Sequence, residues 1–155
     1  VFGDVINGEM VLNNLGEIVY KEWLNTENIR DNVKLDVFVI MPNHMHAIFR
    51  ITHSVVGANG DSPLQQRHRI MDQNDKVTSS FKSPSKTVGA IVRGYKGAVT
   101  TRINRLYQTP REKIWQRNYY EHIIRDDESL YRIRNYIKNN PGKWDTDLNH
   151  PANRK

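Results

Sequence analysis

The chain has 155 residues, with 23 lysines and arginines against 17 aspartates and glutamates, which gives a formal net charge of +6 at pH 7. This length suits one domain with its own core. Without cysteine, disulfides and thiolate metal sites are excluded and a reducing, cytoplasmic setting is expected. No apolar run is long enough to span a bilayer and no signal peptide is visible, so no membrane partner is expected. The positive charge suits a polyanionic partner such as nucleic acid, although charge alone is weak evidence.

The first elements predicted along the chain are a short strand and a helix. Residues 9–12 favour the strand. Apolar side chains recur at helical spacing over residues 14–27, with Asn13 or Asn14 as a suitable N-cap. The apolar stripe of this helix comprises Leu15, Ile18, Val19, Trp23 and Leu24.

Two strands with a pair of histidines come next. Residues 34–43 and 45–52 predict strands that either turn near Pro42-Asn43 or continue there through a bulge. Side chains alternate between faces along a strand, so His44 and His46 point the same way. Because neutral imidazole is the commonest protein ligand for divalent ions, this pair favours a metal or phosphate site. The alternative is that they are simply two polar side chains at the end of a strand, without a ligand.

A polar segment and a long helix follow. The composition of residues 53–84 predicts a mobile loop or disordered linker inside a single domain of residues 1–150, which residues 151–155 extend as a tail. Ser85 suits the N-cap of a helix that reaches about Tyr107. Its apolar stripe comprises Val88, Ile91, Val92, Tyr95, Val99, Ile103 and Leu106.

The other positions of this long helix carry charges and glycines. Lys86 and Arg93 fall opposite the apolar stripe, with Lys96 at its edge. They form either an ordinary solvated face or a surface that contacts the phosphate backbone of a nucleic acid. Glycine is unfavourable inside a helix, which indicates that backbone or a ligand must approach closely, or that the core packs tightly there. The glycines concerned are Gly89, Gly94 and Gly97.

The C-terminal part predicts a strand over residues 113–125 and a final helix capped by Asp126 and Asp127. The apolar stripe of that helix comprises Leu130, Ile133 and Ile137, and Pro141-Gly142 end it. Tyr136 and Asn140 are four residues apart, so both project from one flank. With help from a cation, Tyr136 could attack a phosphate while Asn140 offers an oxygen to the same cation. The alternative for Tyr136 is an amphipathic side chain that seats the helix.

Other aromatic and titratable residues lie on the strand predicted over residues 113–125. Tyr119 and Tyr120 are rival nucleophiles, but neighbours on a strand face opposite sides, so at most one could reach the site. Trp115 and both tyrosines also suit the core or the stacking of unpaired bases. Glu121 and His122 are candidates for further metal ligands or for partners that orient the ligands. The histidines expected to be merely exposed are His53, His68 and His150.

Three segments in order carry a family resemblance. They are Met41-Pro-Asn-His44-Met-His46, Trp115-Gln-Arg-Asn-Tyr-Tyr-Glu-His-Ile-Ile-Arg-Asp126 and Tyr136-Ile-Lys-Asn-Asn-Pro141. Together they closely resemble the motifs of single-tyrosine HUH transposases, and among these the REP-associated tyrosine transposases. The match runs from about residue 3 to residue 144, with the polar segment as an interruption. Three motifs in the correct order make the resemblance specific, whereas His-x-His alone would not.

The resemblance implies a ferredoxin-like α+β sandwich, an antiparallel sheet with helices packed on one face, acting on single-stranded or hairpin DNA. Such enzymes form a 5′-phosphotyrosine and a free 3′-hydroxyl, and a second strand end resolves the link. Carried onto this chain, His44 and His46 match the pair that binds Mg²⁺ or Mn²⁺, Tyr136 the nucleophile and Asn140 the polar group that completes the metal site. The family's first strand would precede Val1, so part of the sheet is expected to be missing or supplied by another chain.

Several functional questions stay open at this level. A related HUH nickase or replication initiator is disfavoured by the short chain, which has no helicase-like extension. A domesticated module that binds hairpin DNA or RNA without cutting it is the other alternative. A homodimer that exchanges catalytic helices and a monomer both fit the resemblance. The residues expected to contact nucleic acid are Lys86, Arg93, Lys96, Arg117 and Tyr119.

Overall fold

The structure, a computed structural model, describes residues 1–52 and 86–153, so the linker predicted over residues 53–84 lies wholly outside the described residues. The chain begins with a hairpin of β1 (Gly3–Ile6) and β2 (Glu9–Leu12). The two-residue turn is Asn7-Gly8, with φ of 53° and 78°. A tight hairpin turn requires positive φ at both positions, which asparagine and glycine tolerate best. The strand predicted over residues 9–12 is therefore confirmed, and β1 is its partner.

Helix α1 (Asn14–Ile29) follows directly and confirms the first predicted helix. Asn13 is its N-cap, because its side-chain oxygen accepts hydrogen bonds from the backbone N–H groups of Leu15 and Gly16 at 2.9 and 3.0 Å. Most of the predicted stripe is buried, as with Val19 and Trp23, but Leu24 is exposed. The cap and the stripe together determine where the helix begins and which side it turns to the core.

Strands β3 (Val33–Ile40) and β4 (Met45–Ile51) form an antiparallel hairpin. Both predicted strands are confirmed, although each ends earlier than predicted, by three residues in β3 and by one in β4. The chain turns at Pro42-Asn43, closed by a 2.8 Å hydrogen bond from the Met41 N–H to the His44 carbonyl. The strand register shifts between Leu35 and Phe38. This irregularity lets both residues face the same core although their numbers differ by three.

Helix α2 (Val88–Tyr107) is the long predicted helix. Its N-cap is Thr87, whose hydroxyl accepts a hydrogen bond from the Ala90 N–H at 3.2 Å. Ser85, the predicted cap, lies outside the described residues. The buried part of the apolar stripe predicted for α2 is Ile91, Tyr95, Val99 and Ile103. Leu106 is exposed, because the last turn of the helix runs past the core.

The strand predicted over residues 113–125 is wrong: this segment contains no regular structure. Asn118 has a φ of 66°, which breaks an extended run. The carbonyls of Gln116 and Asn118 accept hydrogen bonds from Lys96 Nζ at 3.1 and 2.8 Å. These two carbonyls are thus bound by a side chain of α2 instead of by a neighbouring strand.

Helix α3 (Asp127–Lys138) confirms the last predicted helix. Its N-cap Asp126 accepts a hydrogen bond from the Ser129 N–H at 2.7 Å. The helix ends before Pro141, as expected, but Gly142 does not end the helical part of the chain. It lies in a 3₁₀ helix, Pro141–Thr146, and a second short one, Pro151–Asn153, lies in the predicted tail.

The architecture is α+β, with two antiparallel two-stranded sheets and helices packed against them, consistent with a ferredoxin-like fold. Helices α1 and α2 pack on each other and on one face of the β3–β4 hairpin, whereas α3 contacts β3 and β4. The core cluster comprises Phe2, Ile18, Val19, Trp23, Ile40, Tyr95, Val99 and Ile103. None of the helices within the described part of the chain is long and apolar enough to cross a membrane.

Trp23 is expected to be a main source of stability, because its ring packs edge-on against Phe38, Phe49 and Tyr95 and is only 2 % exposed. Trp23→Ala should lower the free energy of unfolding by about 3–5 kcal/mol. Leu24→Ala on the exposed side of α1 is the control and should change it by less than about 0.5 kcal/mol. Urea denaturation followed by circular dichroism measures both, and equal losses would contradict this description of the core.

Candidate active site

The two histidines predicted as metal ligands lie side by side at the start of β4. Their Nε2 atoms are 3.1 Å apart, and their ring planes are nearly perpendicular with centroids 4.8 Å apart. Both side chains are half-buried. Two nitrogens that each lie about 2.1 Å from one ion, at a right angle, are separated by about 3 Å. The 3.1 Å separation is that of a hydrogen bond between the two rings, and it is also compatible with two ligands of one divalent ion.

The orientation of His44 is determined by a chain of hydrogen bonds that reaches the C-terminal segment. Asn43 Nδ2 donates to the carbonyl of Asn149 at 2.8 Å. Because a carbonyl can only accept, the amide oxygen of Asn43 must be the atom that lies 2.8 Å from His44 Nδ1. His44 Nδ1 is then the protonated nitrogen, and His44 Nε2 presents its lone pair towards His46. This is the arrangement in which partners of a ligand histidine fix its tautomer.

Tyr136 comes from α3 and meets this pair within the same chain. Its ring centroid lies 5.4 Å from that of His46, with an edge-to-face angle of 78°. The side chain is 49 % exposed, so its hydroxyl is open to an incoming ligand. The predicted convergence of Tyr136 with the histidine pair is thus present within one chain, through His46.

An ion pair attaches α3 to the sheet two residues before Tyr136. Arg134 donates two hydrogen bonds to the carboxylate of Asp36 on β3, at 3.1 and 2.6 Å. The guanidinium of Arg134 lowers the pKa of Asp36, an effect that exceeds the opposing influence of burial. Two parallel hydrogen bonds restrict both position and rotation, so this pair orients the helix that carries the phenol.

Asn140, the third predicted ligand, lies just beyond the end of α3. It is 3 % exposed, and its Oδ1 is buried without any hydrogen-bond partner. It makes no hydrogen bond to either imidazole, and it is buried, whereas Tyr136 is about half exposed. A buried oxygen without a partner is costly unless something coordinates it, which is what a cation would do.

His46 is suited to bind a cation near neutral pH. Burial lowers the pKa of His46 below its usual value, and the nearby charge of Asp147 only partly opposes this shift. The neutral imidazole that results is the form that binds metal ions. Asp147 is itself held in a turn, because its carboxylate accepts a hydrogen bond from the Asn149 N–H at 2.6 Å.

The C-terminal segment contributes residues that the sequence patterns did not indicate. Trp144 is buried and lies against both His44, at 6.0 Å between ring centroids, and His150, at 4.9 Å. His150 was expected to be exposed, but it is half-buried and its Nδ1 accepts a hydrogen bond from the Ala152 N–H. The sequence feature that could have indicated these contacts is Trp144, a large apolar residue in the otherwise polar segment after Pro141-Gly142. His53 and His68 lie outside the described residues.

The two remaining predicted neighbours of the site lie apart from it. Among residues 1–52 and 86–153, no third His, Asp, Glu or Cys forms a cluster with His44 and His46, so Glu121 and His122 are not grouped with the pair in this structure. Burial, and after it the hydrogen bond that the Tyr119 hydroxyl donates to Glu121, raise the pKa of Tyr119. The His122 side chain is exposed.

Comparison with known proteins places the chain among relatives. A protein of Haemophilus influenzae is 42 % identical over 147 residues, which cover 95 % of this chain and 76 % of that protein. The chain belongs to the family of that protein. The relative is described as an uncharacterized protein, so the similarity shows that the two proteins are related but does not indicate an activity. No family model matches the chain, and no solved structure matches it.

The residues predicted to contact nucleic acid lie on and beside α2. Lys86, Arg93 and Arg117 are exposed, as is Tyr119, which is 45 % accessible. Lys96 differs from the prediction of a solvated or phosphate-binding side chain, because its ammonium group donates to two backbone carbonyls. It also lies 5.8 Å from the centroid of the Trp115 ring. Lys96 therefore holds the 111–119 segment against α2.

The Asp36–Arg134 pair should make stability depend on pH. Since the pKa of Asp36 is lower in the folded protein than its usual 3.8, the unfolded chain binds the proton first as pH falls. The stabilisation is complete above that usual value and is lost as pH falls through the folded-state pKa. Asp36→Asn should therefore lower the free energy of unfolding at pH 7 but make little difference in strong acid. Urea denaturation across pH measures this.

Glu17→Gln is the control for that experiment, because the Glu17–Lys21 pair is exposed on α1. Exposed pairs contribute little to stability. A loss for Asp36→Asn that matches Glu17→Gln, or that persists unchanged in acid, would show that the ion pair does not hold α3 to the sheet.

Proposed function

We propose that this protein cleaves and rejoins single-stranded DNA, with Tyr136 as nucleophile and a divalent metal ion held by His44 and His46. The observation that carries the proposal is the convergence of a half-exposed phenol from α3 with two imidazoles whose Nε2 atoms are 3.1 Å apart. The motif resemblance to single-tyrosine HUH transposases supports the same reaction, and within that class DNA transposition is the activity we propose.

The proposed reaction is a transesterification at a phosphodiester. The Tyr136 oxygen forms a bond to phosphorus while the bond from phosphorus to the 3′-oxygen breaks. The phenol loses its proton to solvent, and the departing 3′-oxygen takes one up, so the strand ends in a free 3′-hydroxyl. A phosphodiester bond is exchanged for another, which conserves its energy and allows a second strand end to rejoin without ATP.

The residues present fit a divalent ion. His44 and His46 would supply two nitrogens, and Asn140 would supply the neutral oxygen of the predicted ligand set, since its buried Oδ1 has no hydrogen-bond partner. When bound, Mg²⁺ or Mn²⁺ withdraws charge from the scissile phosphate. Magnesium prefers ligand sets of oxygen atoms, so two imidazoles favour manganese. Because the Tyr136 side chain is about half exposed, DNA can approach it from the solvent.

Tyr136→Phe should abolish the covalent DNA adduct while DNA binding changes less than about twofold, because only the nucleophilic oxygen is removed. The assay incubates a labelled single-stranded hairpin with Mn²⁺ and separates adducts on a denaturing gel. Tyr131→Phe is the matched control, since Tyr131 lies on the same helix and is 69 % exposed. It should form the adduct normally.

The outcomes of that assay separate the alternatives. An adduct that persists in Tyr136→Phe would move the nucleophile to Tyr119 or Tyr120. Tight hairpin binding by the unchanged protein with no adduct or cleavage would reject the proposal in favour of a binding module. Cleavage with an adduct but without rejoining of a second strand end would indicate a nickase.

Metal binding can be tested separately from cleavage. Mn²⁺ should bind more tightly than Mg²⁺ in calorimetry, and His46→Ala should remove the binding. Asn43→Ala should weaken Mn²⁺ binding about 10- to 100-fold, because it releases the orientation of His44. Asn139→Ala, an exposed residue next to the site, is the control. Unchanged Mn²⁺ affinity in His46→Ala would exclude the imidazole pair as the metal site.

A further inference from the structure

A groove of about 650 Å³ lies between α2 and the irregular segment of residues 111–119. Its α2 side is formed by small and apolar residues together with Arg93 and Lys96, and Trp115 and Tyr119 lie on the other side. None of the residues proposed to act in cleavage lines it. The groove is therefore a separate feature from the candidate active site.

The charge of this groove is strongly positive. Its lining includes four cationic side chains and one carboxylate, that of Glu112. Arg93, Arg111 and Lys113 are exposed and make no ion pair with any residue of the described ranges. Lys96 is occupied with backbone carbonyls, but its charge still adds to the local potential. Such a concentration of unpaired cations is complementary to a ligand that carries several phosphates.

The glycines of α2 keep the groove open. A Cβ at Gly97 would meet no atom within 4 Å, so no protein contact accounts for the missing side chain. A Cβ at Gly89 would meet only the Tyr119 hydroxyl, at 3.2 Å. Gly94 differs, since a Cβ there would lie 3.0 Å from the Arg30 guanidinium, and packing explains it. Glycine is unfavourable within a helix, yet at position 97 its effect is to leave space along the groove.

Tyr119 offers a flat surface at the edge of this space. Its hydroxyl is held by Glu121 and lies against α2 at Gly89, and its side chain is 45 % exposed. Exposed aromatic rings beside cationic side chains are the usual platform for unpaired bases. The volume falls within the range of small-ligand sites, about 300–1,000 Å³. It therefore has room for a nucleotide or two of a single strand, whose unpaired bases are free to stack on Tyr119.

We propose that this groove is a second binding site for single-stranded DNA. Arg93, Arg111 and Lys113 bind its phosphates, and a base stacks on Tyr119. The site shares its substrate class with the proposed function and would hold part of the strand away from the catalytic phenol. It does not require the cleavage chemistry, because no lining residue takes part in that reaction.

Gly97→Leu is the decisive variant, because Gly97 lines the groove and a Cβ at this position meets no protein atom within 4 Å, so the added side chain occupies groove space. It should weaken binding of a fluorescent oligothymidine about tenfold or more, while the melting temperature stays equal or rises. Fluorescence anisotropy in the presence of EDTA measures the affinity without metal. Thr101→Leu places the same side chain at an exposed position of α2 outside the lining, and it should bind as the unchanged protein does.

The phosphate contacts are tested by the salt dependence of the same affinity. Arg93→Gln and Lys113→Gln should each reduce the slope of log affinity against log salt by about 0.7, the value for one phosphate contact on a single strand. Lys21→Gln on the exposed face of α1 is the control and should leave the slope unchanged.

The results distinguish this site from the proposed function. Wild-type affinity in Gly97→Leu, or equal binding of a duplex, would overturn the groove proposal even if the Tyr136 adduct forms. Weakened binding in Gly97→Leu, together with no adduct from the unchanged protein, would support the groove and reject cleavage. Tyr136→Phe should retain full oligothymidine affinity, because Tyr136 does not line the groove.

Discussion

The whole site depends on the alternation of side chains at the start of β4. Met45 and His46 are neighbours, so they point to opposite faces of the hairpin. The single hydroxyl proton of Tyr95 on α2 is shared between the Val19 carbonyl at 3.1 Å and the Met45 sulfur at 3.3 Å, and burial raises the pKa of Tyr95, which keeps it a donor. This contact holds one face of the strand to the core and thereby turns His46 towards α3. A slip of one residue would bury the imidazole among apolar side chains.

The second requirement is that distant parts of the chain close on this strand. The Asp36–Arg134 pair brings α3 to the sheet, and the Asn149 carbonyl sets the orientation of Asn43 and hence of His44. Neither interaction involves a group that would react. Both act by restricting rotation, which is how supporting hydrogen bonds prepare ligands and nucleophiles for chemistry. The proposed catalytic geometry is therefore a product of supporting residues on three separate segments.

The two proposed DNA sites make different demands on the fold. The imidazole pair needs defined orientation and is supported by burial and directional hydrogen bonds. The groove along α2 needs charge and open space, which Gly97 and the unpaired cations provide. Lys96 links the groove to the core, because its bonds to the carbonyls of residues 116 and 118 place the 111–119 segment. Lys96 thus fixes part of the irregular segment that forms one side of the groove.

Local patterns in the sequence were sufficient to place most elements. Apolar periodicity and the cap residues Asn13 and Asp126 located α1 and α3, and the period of two placed His44 and His46 on one side. Strand β1 was missed although Asn7-Gly8 is a turn signal, since its four residues show little alternation. What only the tertiary structure decided was contact between residues far apart in sequence: the meeting of Tyr136 with His46, the burial of Asn140 and the irregular path near Asn118. Periodicity reports which side of an element is apolar, but distances across the fold follow from packing and hydrogen bonds that no local pattern contains.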